Sequence, residues 1–297
     1  MDGLTPDRVS GRRNWRGSAR KSGGRLRSGG RANPLTPDAL GRTIEHDVIP
    51  RLLSAHRVGT PPCPDAAEVA EFARCACMGD AQATEDAIAR RRAIGSGVES
   101  ILLELLVPAA AQLATRWQAD LCRYEELAIG MLHLQQLLHG LSADFVRAGQ
   151  AAPSGRRVLL LSAPTEQDML GLYLVTEFHR CVAAEFFHHA GWDVWRAPPT
   201  SRARLTSLLR DQWFDVIAVV ASSGERLDML PPDLAAMRRA SRNVRAGLVV
   251  GGLALGATPA CGAVEAADAW ARDPRDMLCQ AETLVALRDR PRKRLSR

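Results

Sequence analysis

The feature that most constrains this chain is a change of hydrophobic period at Gln150–Gly155. Before that linker, apolar residues recur at helical spacing. After it, short apolar runs alternate with helical stretches. In the first part, Thr36-Pro37-Asp38 reads as a helix start, and Ala39–His56 sets Leu40, Ile44, Val48 and Leu52 on one face. A Pro-rich break at Thr60–Pro64 follows, then helical patterns over Ala66–Cys77, Ala81–Ile94, Val98–Asp120 and Tyr124–Ala148. Pro108 falls inside the Val98–Asp120 pattern and is expected to kink or restart it. These segments predict a helical bundle large enough to stand alone.

Beyond the linker, strands are predicted at Val158–Ser162, Asp193–Arg196, Phe214–Ala221 and Gly247–Val250, with a weaker one at Val264–Ala266. Helices are predicted at Leu170–Ala190, Leu205–Gln212, Leu234–Arg242 and Pro274–Leu287. That alternation argues a flavodoxin-like, doubly wound parallel sheet, whose ligands sit at the carboxyl ends of the strands. The expected class is α plus α/β: a helical cap at 36–149, an α/β domain at 150–287, and basic tails at 1–35 and 288–297.

Charge supports that division. The 297 residues carry a net +6, yet residues 1–35 alone carry +7 and residues 288–297 carry +5, leaving −6 on the rest. The tails read as solubilising, with weak nucleic-acid contact through their arginines as the sharper reading. Trp15 is the one aromatic among the first 35 residues, too few for a single-strand stacking platform. No uncharged apolar run approaches the ~20 residues of a bilayer span, and the start lacks the apolar core of a secretory signal. Seven scattered cysteines fit a reducing compartment. A cytoplasmic protein with no membrane role is expected. Neither a G-x-S-x-G nucleophile elbow nor a G-x-x-x-x-G-K-[ST] phosphate loop is present, and Cys75-Ala-Cys77 lacks the second pair of a zinc site.

Several short motifs run in order along the chain. Val107-Pro108-Ala109-Ala110 is followed by Trp117, Asp120 and Glu125-Glu126. Then come Leu159-Leu160-Leu161 with Ser162-Ala163-Pro164-Thr165-Glu166-Gln167, Gly171-Leu172, and Glu185-Phe186-Phe187 before Ala190-Gly191-Trp192-Asp193-Val194. Phe214-Asp215-Val216, Gly251-Gly252 and Gly262-Ala263 complete the series. Over roughly residues 64–287 this order resembles cobalamin-binding domains with a helical cap. Its closest flavour is the PpaA/AerR photosynthesis-gene antirepressors, and more distantly light-responsive cobalamin regulators of the MerR type. The resemblance implies a bound cobalamin, a regulatory rather than enzymatic role, and action through a DNA-binding repressor partner. It also implies that light could enter through photolysis of a Co–C bond.

At one position the chain departs from the pattern. The family carries acid-x-His-x-x-Gly, its His ligating cobalt; here the span reads Glu166-Gln167-Asp168-Met169-Leu170-Gly171. Asp168 stands where that His would be, and a carboxylate matches Co(III) less well than imidazole. His179, on an unexpectedly long following helix, is the alternative metal ligand; the plainer reading is a helical His. His188-His189 read as solvent-facing. Trp117 is either a lid over the corrin or ordinary core. The adenosyl-sensing Glu-His pair is replaced by Leu127-Ala128, which favours a hydroxo, aquo or methyl axial group. Ser222 and Ser223 could accept the displaced nucleotide tail, with Gly251-Gly252 either allowing its close approach or forming a plain turn. Alternatives are a haem sensor on the same scaffold, a corrinoid methyl carrier, and a cofactor-free interaction scaffold.

Overall fold

The computed structural model describes residues 61–149, 151–167, 170–197, 201–222, 224–252 and 266–289. The Ala39–His56 pattern, the 1–35 tail, most of the 288–297 tail, Asp168, Ser223, Gly262 and Ala263 therefore lie outside the described residues. All described residues belong to one compact unit, Gly59–Arg297.

Four helical runs form the bundle. Helix α1 (Ala66–Cys77) starts where the Asp65 side chain accepts from the Glu68 N–H. Helix α2 (Ala81–Ala93) starts where Asp80 accepts from the Ala83 N–H. Both are N-caps of the kind that satisfies an otherwise orphaned donor. Helix α4 is Tyr124–Gly149. Its acidic start has a local purpose, because Glu126 reaches back to the Arg123 N–H.

The third run, α3, spans Val98–Gln118. Pro108 does not end the run, and the regular α-helix restarts at Val107 with Pro108 in its first turn. Within α3 the segment Ile101–Leu106 is π-helical, and the Val107 N–H bonds the Leu102 carbonyl five residues back. A proline ring clashes with the carbonyl four residues earlier in a regular α-helix, and a widened turn relieves that crowding. By length and composition alone α3 could cross a membrane. Its residues Ile101, Leu102, Leu105, Leu106, Ala109 and Leu113 are instead buried in the bundle core.

The second half is a five-stranded parallel sheet in the order β2-β1-β3-β4-β5. The strands are β1 (Arg157–Ser162), β2 (Asp193–Arg196), β3 (Val216–Val220), β4 (Gly247–Gly251) and β5 (Ala269–Ala271). Helices α5 (Leu170–His189) and α8 (Pro274–Asp289) cover one face. Helices α6 (Arg202–Asp211) and α7 (Pro231–Ala240) cover the other. This is the doubly wound arrangement expected from the strand–helix alternation. Strand β5 starts later than the Val264–Ala266 pattern, of which Ala266 lies in a turn. Asp268 sets that start: its backbone N–H bonds the Leu248 carbonyl, and its carboxylate accepts from the Leu248 N–H. Helices α6 and α7 begin a turn earlier than their apolar periodicity, at the Ser201 cap and the Pro231-Pro232 pair.

Helix α5 explains why the two halves share a core. Its Val175, Phe178, Val182 and Phe186 pack with the bundle, while Ala183, Ala184 and Phe187 pack on the sheet. A helix apolar on two faces is buried between two layers. That is the meaning of its length. His189 belongs to the same seam and is not solvent-facing: it stacks on Phe145 at 4.4 Å, and its Nδ1 lies 2.7 Å from the Phe145 carbonyl. His188 is exposed.

Candidate cofactor site

The loop leaving β1 makes a 3₁₀ turn at Pro164–Glu166 and then enters α5. Glu166 is fully buried at its centre. Its carboxylate accepts from the Ser222 N–H at 2.9 and 3.1 Å and from the Thr176 hydroxyl. One side chain thus ties the β1 loop to the end of β3 and to α5. Glu166 therefore acts as a clamp between loops.

Ser222 also faces His179, its Oγ 3.4 Å from Nδ1. His179 is 3% exposed, on the third turn of α5. Burial pushes its pKa down to about 4, partly offset by the backbone of Val107 and Val175, so the imidazole is neutral at pH 7. Its Nε2 makes no hydrogen bond of normal geometry. The ring lines a cavity of about 20 Å³ with Val107, Val220, Gly252, Pro274 and Met277. That is room for about one water. Arg272 and Asp273 complete its wall.

Trp117 stands at the end of α3 and is partly buried against the bundle core. The indole points at the α/β layer. A Cβ placed on Gly171 would lie 2.6 to 2.8 Å from three atoms of its six-membered ring. The ring therefore rests directly on the glycine, with no gap of macrocycle thickness between them. A flat aromatic surface and a glycine cradle are both present, but they are closed on each other.

Gly251 and Gly252 are explained by chain packing. A Cβ on Gly251 would meet the Met277 methyl at 2.5 Å, and one on Gly252 would meet the Ala221 carbonyl oxygen at 2.1 Å. Gly252 also has φ +131°, a conformation that favours glycine. The space beside both residues is filled by the protein itself.

The structure thus joins Trp117 to Gly171, Glu166 to Ser222, and Ser222 and Gly252 to His179. The sequence reading missed Val107, the bundle residue that reaches His179, and Thr176, the second partner of Glu166. It also missed a larger cavity of about 410 Å³ outside the ends of β1 and β2 on the α6/α7 face, lined in part by Leu161, Leu205, Met237 and Asp233. Among the described residues no three His, Cys, Asp or Glu side chains converge. A single neutral imidazole suits a metal already held in a macrocycle better than a bare ion.

One solved structure shares this architecture. No family model matches the chain. It is 31% identical over 84 residues to an uncharacterized 20.5 kDa protein in the bchF-crtJ intergenic region of Rhodobacter capsulatus. That stretch is 28% of this chain and 44% of the relative, so the chain spans under half the length of the curated relative it matches. Among solved structures, the Methanosarcina barkeri monomethylamine corrinoid protein superposes with a TM-score of 0.56 at 9% identity, over 75% of this chain and 100% of that one. A cobalamin-binding protein from Desulfitobacterium hafniense DCB-2 matches with a TM-score of 0.36 at 11% identity, over 73% and 98%. The chain has the fold of a corrinoid protein.

Proposed function

We propose that this chain is a cobalamin-binding regulatory protein of the antirepressor kind, and that the ligand binds by parting the bundle from the α/β layer. The observation that carries the reading is the Trp117 indole seated on Gly171 in the first turn of α5. It puts an aromatic lid and a side-chain-free cradle face to face at the strand ends, where ligands of such sheets bind. The fold shared with a corrinoid protein and the relative between bchF and crtJ support the same reading.

Bound cobalamin, in a hydroxo, aquo or methyl form, would supply cobalt with exchangeable axial positions. Trp117 would cover the macrocycle and exclude water. Gly171 would leave the opposing surface flat. His179, neutral and steered by Ser222, is the nitrogen donor on the same seam. Its Nε2 is at present shut in by Val107 of α3, so the donor becomes available as α3 withdraws from α5. Coupling follows: a ligand that fits only the parted state shifts the population toward it. The newly exposed faces of α3 and α5 would be what a DNA-binding repressor reads, and the chain itself is proposed to be no enzyme.

Absorption spectra of the protein mixed with hydroxocobalamin, and separately with haemin, test this. The expected result is a corrin spectrum that survives desalting and a shift lost in His179→Ala. A Soret band with haemin alone would reassign the site to a haem sensor. Retention of neither pigment would leave an interaction scaffold and end the corrinoid reading.

A further inference from the structure

Helices α2 and α4 touch at two places and stand apart between them. The Thr84 hydroxyl lies 3.1 Å from His133 Nε2, and the Arg92 guanidinium pairs with Asp144 at 3.1 Å. The gap is a groove of about 380 Å³ floored by the buried Ile88, His133 and Leu141. The other side of α4 is occupied by α5, where Ser142 bonds Glu185 and Phe145 packs on Phe186.

Size, shape and charge of this groove all suit a second helix. Its walls carry small residues, Ala81 and Ala89 on α2 and Gly140 on α4. Gly140 sits inside a 26-residue helix, where glycine weakens the helix relative to alanine. A Cβ built there would meet nothing within 4 Å outside its own helical turn, so packing within the chain gives no reason for glycine. Close approach of another backbone does. Beside the groove, α4 carries a ridge of Ile129 and Leu132, 48% and 57% exposed. Leu132 lies one turn before Gln136, which lines the groove, so a knob and a hole share one face. That is the arrangement a two-fold axis makes self-complementary. The groove also has unlike ends, with Glu85 and Arg92 two turns apart on α2.

We propose that this face pairs with the same face of a second copy of the chain, α4 antiparallel to α4, about a two-fold axis beside Gln136. Leu132 and Gly140 lie one turn to either side of Gln136, so each copy's Leu132 enters the other's groove at Gly140. The axis passes α2 between Ile88 and Ala89, midway between Glu85 and Arg92. It therefore sets Glu85 of one copy against Arg92 of the other, twice. A partner of different sequence would need neither the ridge nor the reciprocal charges; self-pairing uses both. The inference is independent of the corrinoid reading, since the groove shares no residue with the Trp117–Gly171 contact or the His179 cavity.

Sedimentation equilibrium of the full chain tests the pairing. Wild type is expected to be dimeric at tens of micromolar. Leu132→Asp and Gly140→Leu are each expected to weaken self-association roughly 10-fold or more, the scale of spoiling one central interface contact. Gly140→Leu enters open space, so its circular dichroism is expected to match wild type, which separates loss of pairing from loss of fold. Glu85→Arg alone and Arg92→Glu alone place like charges at both contacts, and each is expected to self-associate roughly 10-fold more weakly. Mixed in equal amounts, the two charge variants are expected to recover wild-type affinity, because both contacts of the mixed dimer are again opposite in sign. A monomeric wild type, a dimer that Leu132→Asp and Gly140→Leu leave intact, or charge variants that show no recovery on mixing would each overturn the proposal.

Discussion

The two faces of the sheet are built to opposite standards. On the bundle face there is little room: the indole rests on Gly171, and Met277 occupies the side of Gly251. On the α6/α7 face the strand ends open into about 410 Å³. Close-packed layers have two discrete arrangements rather than a continuum, so the crowded face can act as a latch. The open face can accept a guest without rearrangement. One chain thus has a side that must move and a side that need not.

The sharpest break of this contrast is a pair of added side chains. Gly252→Ala forces a non-glycine residue to φ +131° and drives its Cβ against a backbone oxygen that cannot yield. Urea unfolding is expected to show a loss of more than about 3 kcal/mol. Ala236→Phe adds more atoms on the open face and is expected to cost less than about 1 kcal/mol, because the cavity has room for them. Equal losses in the two variants would erase the distinction between the faces.

Next in size is the His179 environment, where the sign can be worked out. The folded chain holds this imidazole near pKa 4, against an ordinary value of 6.5. Between those values the unfolded chain binds a proton that the folded chain does not, so stability falls as pH falls through the window. The full loss is about 3 kcal/mol. Arg272 and Asp273 share the cavity wall, and Glu166 is one contact away through Ser222. Denaturation of wild type and His179→Leu at pH 7 and pH 4.5 separates their contributions, since only the histidine's share of the slope disappears in the variant. A Glu166→Leu exchange is expected to cost about 2 kcal/mol at pH 7, by leaving the buried Ser222 N–H without its acceptor, while the Thr176 hydroxyl keeps the Leu172 carbonyl.

What the sequence disclosed follows from which interactions are local. Helix α1 matches its apolar pattern from Ala66 to Cys77 because Asp65 caps it within one turn. Strand β2 matches because Gly191, with φ +75°, ends the preceding turn just before it. The parallel sheet was legible from alternation alone. The resemblance marked Trp117, but its contact with Gly171 was not read from the sequence, since 54 residues separate the partners. The Val107–His179 approach depends on how two long helices cross, and nothing within either helix announces it. The restart at Pro108 was legible from the proline itself, whereas the π-helical segment before it was not, because that widened turn is a compromise between helix and proline that tertiary packing decides. The outer cavity was invisible for a similar reason: Leu161, Leu205 and Asp233 come from three separate elements.

The smallest predicted effect tests whether the open face owes anything to its ion pair. Arg202 and Asp233 pair across α6 and α7, and an exposed arginine contributes little through such a contact once water and salt screen it. Arg202→Gln is therefore expected to change unfolding stability by less than about 1 kcal/mol. Asp233 differs, because its carboxylate is buried and its backbone N–H bonds Leu230 at the start of α7. If Arg202→Gln proves as costly as losing a buried partner, about 3 kcal/mol, the pair is part of the frame that holds α6 to α7. A near-neutral result leaves the guanidinium free to turn toward an anion at the mouth, which is the property a receptive face needs and a packed face cannot have.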